Sequence, residues 1–336
     1  MREGEPRFEE QEEPQYKPQP PEEQERTQGL MRVVGSSPEK QQQIIEESKE
    51  RFDKKVSKEE FTEELELTPD KLKIMDTVLS KMPEFIEQFG GKMPPITKDH
   101  ILIMDYNKLD DKQKKLLEKT YTKGMYDSQS QKAIILFDSK NQNNEDFAGL
   151  LTHEIMHFCA FQSMTAKEVQ DKPKFFGLLG GKDGETRMEI TPRVLGLSLI
   201  HKNGKKLEEY YNEIDEAVTT ILTDDFYTQY LRKIPEIEED SFSRFTRPSA
   251  EKANLWSPMA NYQDFKIDFS HILIDILQKN PQSFKTKEDV FNVFAKAYFT
   301  GKRLELAKAI EKTYGKGSFR ELGKGKNKRK IKTKYD

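Results

Sequence analysis

The stretch His153-Glu154-Ile155-Met156-His157 decides the fold expected for this 336-residue chain. On a helix, two histidines four residues apart lie one turn apart on the same face, so both imidazoles can reach one metal ion. A glutamate beside the first histidine then faces a water bound to that ion. The pattern predicts a metal site in which His153 and His157 are ligands and Glu154 is a general base.

The residues around this stretch favour one buried helix over residues 146–162. Asn143 or Asn144 can cap its start, and the acidic residues that follow suit the positive end of a helix. The apolar side chains fall on one arc of this helix, and Glu154 lies inside that arc. A carboxylate among apolar side chains is costly unless a cation compensates it, which favours a metal site over a surface position.

Composition limits the class of protein. Hydrophobic and charged residues each make up 34% of the chain, a poor ratio for one compact unit, so we expect part of it to be disordered. A net charge of −3 gives no case for a nucleic acid or an anionic membrane as partner. The one cysteine, Cys159, points away from the histidines by helical angle and is predicted to be an apolar filler. Without a signal peptide or a run of about 20 apolar residues, we expect a cytoplasmic location, with signal-less export left open.

Composition and periodicity divide the chain into four segments. Residues 1–58 are rich in Glu, Gln and Pro and are predicted to be a disordered tail, with some helix near residues 41–54. Residues 59–225 are predicted to form an α+β core in which a small mixed sheet packs on the metal-site helix. Its edge strand is expected to border the cleft, where an extended peptide can pair with it. Residues 226–322 are predicted to be a helical subdomain along one wall of the cleft, and residues 323–336 a basic disordered tail.

A catalytic zinc ion requires a third protein ligand. The HExxHxxGxxH arrangement of the metzincins is excluded, because Ala160 and Ser163 stand where its glycine and third histidine would be. The other common solution is a glutamate from a second helix downstream. A helix predicted to begin at Leu207 carries two such candidates, Glu213 and Glu216.

The segment 214–219, Ile-Asp-Glu-Ala-Val-Thr, resembles the Asn-Glu-(Ala/Gly)-x-Thr segment that supplies the third zinc ligand in gluzincin-type peptidases. Together with the HExxH stretch, the resemblance covers about residues 100–225 and implies a zincin-like fold that binds one Zn²⁺. It implies that Glu216 is the third ligand, with Glu213 as the alternative. One departure is Thr220, which stands where the thermolysin pattern has an aspartate that orients a histidine.

The resemblance implies a zinc-dependent peptidase, most simply an endopeptidase, with a peptide or protein as substrate. Zinc acidifies its bound water toward a pKa of about 7, and Glu154 transfers the proton to the leaving amine. Tyr262 and His201 lead the candidates for stabilising the oxyanion, with Tyr211 and His271 also suitable by chemistry. The alternatives are a zinc-binding but catalytically silent protein that holds a partner, and a metal-free domain. The cleaved sequence and the oligomeric state are not predicted.

Overall fold

The structure, a computed structural model, describes residues 32–33, 38–53, 64–111, 114, 124–127, 131–170, 186–203, 206–237 and 263–324. Most of the expected N-terminal tail lies outside these ranges, as does the basic tail from residue 325 onward. Within them the chain has a mixed α+β fold, as the sequence predicted.

The described elements are numbered in chain order. The strands are β1 (Arg32–Val33), β2 (Ile101–Asp105), β3 (Gly124–Asp127), β4 (Lys132–Phe137), β5 (Gln162–Gln170), β6 (Thr186–Leu195), β7 (Ser198–Asn203) and β8 (Lys206–Tyr210). The helices are α1 (Pro38–Asp53), α2 (Pro69–Glu87), α3 (Asn144–Cys159), α4 (Asn212–Phe226), α5 (Gln263–Lys279), α6 (Lys287–Thr300), α7 (Leu304–Tyr314) and α8 (Ser318–Leu322). None of the helices in these ranges is long and apolar enough to cross a membrane.

The smaller sheet has three strands in the order β2-β4-β3, and β4 and β3 pack against helix α3. β2 runs parallel to β4, whereas β3 pairs antiparallel with β4, with Tyr126 opposite Ala133. β2 and β4 are short apolar runs with mostly buried side chains, as expected for strands that helices cover. β3 forms the edge of this sheet and borders the helix that carries the two histidines.

The larger sheet has five strands in the order β1-β5-β6-β7-β8. Among the pairs formed by the described strands of this sheet, only β1–β5 is parallel. A two-residue turn, Gly196 and Leu197, joins β6 to β7. Gly196 has a φ of +56°, in the left-handed region that favours glycine. Its carbonyl accepts a hydrogen bond from Arg303 at 2.8 Å, which ties the turn to the C-terminal helices.

Helix α3 begins with a reciprocal cap. The Asn143 side chain accepts from the Asp146 N–H at 2.9 Å, and the Asp146 carboxylate accepts from the Asn143 N–H at 3.1 Å. Two of the backbone donors at the start of the helix are thereby satisfied. The cap lies at one of the two asparagines that the sequence suggested.

Helix α3 ends at Cys159, three residues before the expected end at Gln162. Ala160 has an extended backbone, and the Phe161 N–H donates to the carbonyl of Tyr298 at 2.9 Å. Gln162 instead begins β5. The expected helix end was wrong because a hydrogen bond to α6 replaces the next helical turn.

Helix α4 begins at Asn212, five residues later than the start predicted at Leu207. Residues 206–210 instead form β8, which pairs antiparallel with β7. Tyr211, with a φ of +69°, separates this strand from the helix. The predicted start was wrong because pairing with β7 outweighs the helical spacing of the local apolar residues.

One hydrophobic core includes side chains from both the predicted α+β segment, residues 59–225, and the predicted helical subdomain, residues 226–322. Ile155 of α3, Phe269 of α5 and Phe294 of α6 are all buried in it. Helix α4 packs against α3, α5 and α6 and lies between them. The C-terminal helices are therefore continuous with the core that holds the HExxH helix.

Helix α1 lies inside the segment that was expected to be a disordered tail. Phe52, near its end, is only 4% exposed, and its ring centroid lies 4.0 Å from that of His100. Its backbone carbonyl accepts from the buried ammonium group of Lys132 at 3.2 Å. The predicted helix near residues 41–54 is present, and its end is docked on the core, so residues 38–53 are not a disordered tail.

Candidate metal centre

Three side chains converge between α3 and α4, namely His153, His157 and Glu216. The Nε2 atoms of the two histidines lie 3.2 Å apart. Oε2 of Glu216 lies 3.4 Å from Nε2 of His153 and 3.6 Å from Nε2 of His157. Glu213, the alternative third ligand, is not part of this group in the described ranges. The geometry therefore favours Glu216 over Glu213 as the third ligand.

The spacing of these three atoms fits a tetrahedral zinc ion. Zinc binds nitrogen and oxygen ligands at about 2.0 to 2.2 Å, so two ligands at a tetrahedral angle lie about 3.4 Å apart. The three measured separations, from 3.2 to 3.6 Å, bracket this value. Oε2 of Glu216 is also buried without a hydrogen bond in the described part of the chain, a costly state that a cation would relieve.

The charges of His157 and Glu216 shift each other's pKa. Burial lowers the pKa of His157, but the carboxylate of Glu216, together with those of Asp215 and Glu154, outweighs burial and raises this pKa to about 9. Burial raises the pKa of Glu216, but the charges and hydrogen bonds of His157 and His153 together outweigh burial and hold this pKa well below its usual range. Without a metal, a proton on His157 therefore compensates the buried carboxylate. A divalent cation would do the same and displace that proton.

Asp215 connects the site to the larger sheet. Its Oδ1 atom accepts from the backbone N–H groups of Leu197 and Ser198, at 2.5 and 3.3 Å, in the turn between β6 and β7. Its Oδ2 atom lies 3.7 Å from Nδ1 of His157. A carboxylate at this position favours a proton on Nδ1, which leaves Nε2 free to bind a metal. Gly196 permits the approach, since a Cβ there would lie 2.4 Å from Oδ1.

A phenol from α6 also faces His157. The hydroxyl of Tyr298 lies 3.4 Å from Nδ1 of His157. Thr219 Oγ1 lies 3.0 Å from the same hydroxyl and donates to the Asp215 carbonyl at 2.8 Å. Two oxygens, one carboxylate and one phenol, thus surround the nitrogen of His157 that faces away from the proposed metal.

Glu154 is buried on the β3 side of the same helix, at 5% exposure. A Cβ at Gly124 would lie 2.4 Å from its Oε1 atom, so only glycine allows β3 to pass this close. Burial raises the pKa of Glu154, although the two neighbouring histidines lower it in part. A carboxylate with a raised pKa can accept a proton near neutral pH and release it again.

The converging groups line one cleft with a volume of about 220 Å³. Gly124 and Tyr126 of the edge strand β3 form one side. Residues from β6, β7 and β8 form the opposite side, among them Ser198 and Glu209. The edge strand therefore borders the cleft, as the sequence predicted.

The predicted oxyanion stabilisers do not line this cleft in the described part of the chain. His201 is exposed, and its neighbour Ile200 faces the cleft, so the alternation of a strand directs His201 to the opposite face. Tyr211 is buried, and its hydroxyl donates to the Phe319 carbonyl of α8. His271 lies on α5 away from the cleft lining, and Tyr262 lies outside the described residues.

Three residues of the site were not assigned a role from the sequence. Asp215 lies in the segment that resembles the gluzincins, but that resemblance places the orienting aspartate four residues after Glu216, where Thr220 stands. Gly124 and Tyr298 received no functional prediction from the sequence. An acidic residue next to Glu216, near the apolar face of the predicted helix, was a usable signal for Asp215, whereas the other two contacts join distant parts of the chain.

Comparison of the chain with models of known protein families, with curated proteins and with solved structures found no match.

Proposed function

We propose that this chain is a zinc-dependent endopeptidase with a zincin-like fold. The observation that carries the proposal is the convergence of His153, His157 and Glu216 at tetrahedral spacing, with Glu154 buried beside them in an open cleft. Two imidazoles and one carboxylate are a ligand set that zinc takes in hydrolytic sites with an open fourth position.

A bound zinc ion would supply an acidified water and polarise the carbonyl of the substrate. Glu154 accepts the proton of that water and delivers it to the leaving amine, a role that suits its raised pKa and its position one residue after a ligand. Asp215 holds His157 in the tautomer that a metal requires. Each of these residues thus has a separate task in one hydrolytic step.

The edge strand β3 supports a peptide as substrate. Its paired neighbour in the described sheet is β4, and its cleft side carries Gly124 and Tyr126. An extended peptide can add to such an edge by backbone hydrogen bonds, which would bring its carbonyl groups past Glu154. Backbone pairing of this kind favours a substrate in an extended conformation. Any preference for particular substrate side chains would then come from residues on the opposite wall of the cleft.

Metal content by elemental analysis tests the proposal. We expect about one zinc per chain in the wild type, near-complete loss in Glu216→Ala, and retention in Glu213→Ala, a matched carboxylate on the same helix. Glu154→Gln should keep its zinc but lose cleavage of a denatured protein substrate. No zinc in the wild type after reconstitution would overturn the metal site. Zinc without turnover in the wild type would identify the catalytically silent alternative.

A further inference from the structure

Apart from the two histidines, the charged side chains among the described residues that line the cleft are acidic. Four carboxylates line it, those of Glu154, Glu209, Asp215 and Glu216, and no lysine or arginine is among its described lining residues. Three of the four belong to the proposed metal site, where the histidines and a bound divalent cation would compensate them. Glu209 stands apart from that group and leaves the β8 wall with a negative charge.

Glu209 faces the cleft because of its register in the sheet. It lies opposite Ile200 on β7, and both side chains line the cleft. Its neighbour Glu208 lies opposite His201 on the other face of the sheet, with the Tyr210 hydroxyl 3.4 Å from its carboxylate. The exposed side chain of Glu209 is therefore positioned to meet a cationic group that enters the cleft.

The described chain ends beside this wall. The Tyr211 N–H donates to the carbonyl of Gly323 at 2.7 Å, and Gly323 packs against the Tyr211 ring. Tyr211 follows Glu209 by two residues, a separation of about 7 Å along a strand. The next residue, Asn212, lines the cleft. The last described residues therefore lie within a few residues of Glu209.

The segment that follows is strongly basic. Residues 325–334 read Gly-Lys-Asn-Lys-Arg-Lys-Ile-Lys-Thr-Lys, with six cations and no acidic residue. Ten extended residues reach about 33 to 36 Å, more than enough to cross from Gly323 into the cleft. A tethered segment of this kind acts at an effective concentration in the millimolar range.

We propose that the basic segment 325–334 occupies the acidic cleft through Glu209 and competes there with substrate. The inference deepens the proposed peptidase function, since it assigns basic peptides as the class that the cleft accepts. It also makes the chain's own C-terminal segment a built-in competitor. Occupancy falls as salt rises, because the attraction is between exposed charges.

Peptide binding to the full-length chain tests this proposal. The probe is a fluorescently labelled peptide with the sequence of residues 324–334, measured by anisotropy on protein that carries Glu154→Gln to prevent cleavage. A second protein also carries glutamine at the six basic positions of the tail. We expect the probe to bind this tail-neutralised protein about tenfold more tightly, because the native tail no longer competes. Equal affinity for the two proteins would overturn competition by the tail.

Glu209→Gln and Glu208→Gln, each made in the tail-neutralised protein, test the contact itself. Both remove one charge from β8, but only Glu209 faces the cleft. We expect Glu209→Gln to weaken probe binding about three- to fivefold and Glu208→Gln to leave it nearly unchanged. Equal effects would indicate diffuse attraction and overturn the role of Glu209. Probe binding is measured without turnover, so the two proposals can fail separately. If the tail competes with the probe but the protein binds no zinc, only the peptidase proposal is refuted. If the protein binds zinc but the tail does not compete, only this inference is refuted.

Discussion

Asp215 Oδ2 lies 3.7 Å from Nδ1 of His157, while Oδ1 of the same carboxylate accepts from two backbone N–H groups of the β6–β7 turn. One side chain therefore connects a proposed zinc ligand on α3 to the larger sheet. Burial raises the pKa of Asp215 to about 6, although the charge of His157 lowers it in part. Near neutral pH the carboxylate is ionised and favours a proton on Nδ1.

We expect Asp215→Asn to weaken zinc binding about 10- to 100-fold without unfolding the chain. Asparagine keeps the oxygen that the turn requires, but its amide group can face Nδ1 and favour a proton on Nε2, the nitrogen that must bind the metal. Competition with a chelator of known affinity measures the change. Asp224→Asn, later on the same helix and ion-paired with Lys266, is the control. Equal zinc affinities in the two variants would contradict an orienting role for Asp215.

The sequence predicted the parts of this site that follow from local periodicity. The two histidines and Glu154 are fixed by helical spacing within one turn. Glu216 was instead implied by the resemblance of a short segment to gluzincin-type peptidases, with Glu213 as the alternative. Asp215, Gly124 and Tyr298 act through contacts between elements distant along the chain. The β8 strand was missed for a similar reason, since its pairing partner β7 decides its conformation.

Zinc binding should release about one proton per chain at pH 7.5. The pKa of His157 is raised to about 9 without a metal, so its imidazole carries a proton at this pH that zinc must displace. Affinity should therefore rise with pH up to about 9 and then level off. Titration calorimetry in buffers of different ionisation enthalpy counts the protons. A count near zero at pH 7.5 would show that His157 is already neutral. An unchanged count at pH 9.5 would show that the released proton comes from another source, such as the zinc-bound water.

Tyr298→Phe should weaken zinc binding less than Asp215→Asn does, by a few-fold. The phenol faces Nδ1 of His157 at 3.4 Å, but the carboxylate remains in the variant to orient the ring. Tyr314→Phe is the matched control, since its hydroxyl donates to Asp275 at 3.0 Å on a different pair of helices. Both variants lose one hydroxyl, so both should lose about 1 kcal/mol of stability. A zinc affinity that falls equally in both would contradict a specific contact with His157.

Gly124→Ala should reduce turnover about 100-fold while zinc content stays near one per chain. The added Cβ would lie 2.4 Å from Oε1 and 2.6 Å from Cδ of Glu154, so the carboxylate must move away from its position. A displacement of about 1 Å at a general base costs a factor of this size. Cleavage of a denatured protein is compared with zinc content in the same preparation. Wild-type turnover in Gly124→Ala would indicate that Glu154 tolerates the shift, and lost zinc would indicate damage beyond Glu154.

Phe52→Ala should destabilise the chain by about 3 to 5 kcal/mol, although Phe52 lies in the segment whose composition is typical of a disordered tail. Its ring lies 4.0 Å from the His100 ring and 6.2 Å from the Phe158 ring, between centroids. Phe158 in turn stacks on Tyr126 of the cleft wall at 4.6 Å, so the cavity would open behind the candidate substrate strand. Urea unfolding measures the loss against Gln43→Ala, an exposed position of α1 that should change stability by less than about 0.5 kcal/mol. If the two variants unfold at the same urea concentration, α1 is not part of the cooperative core.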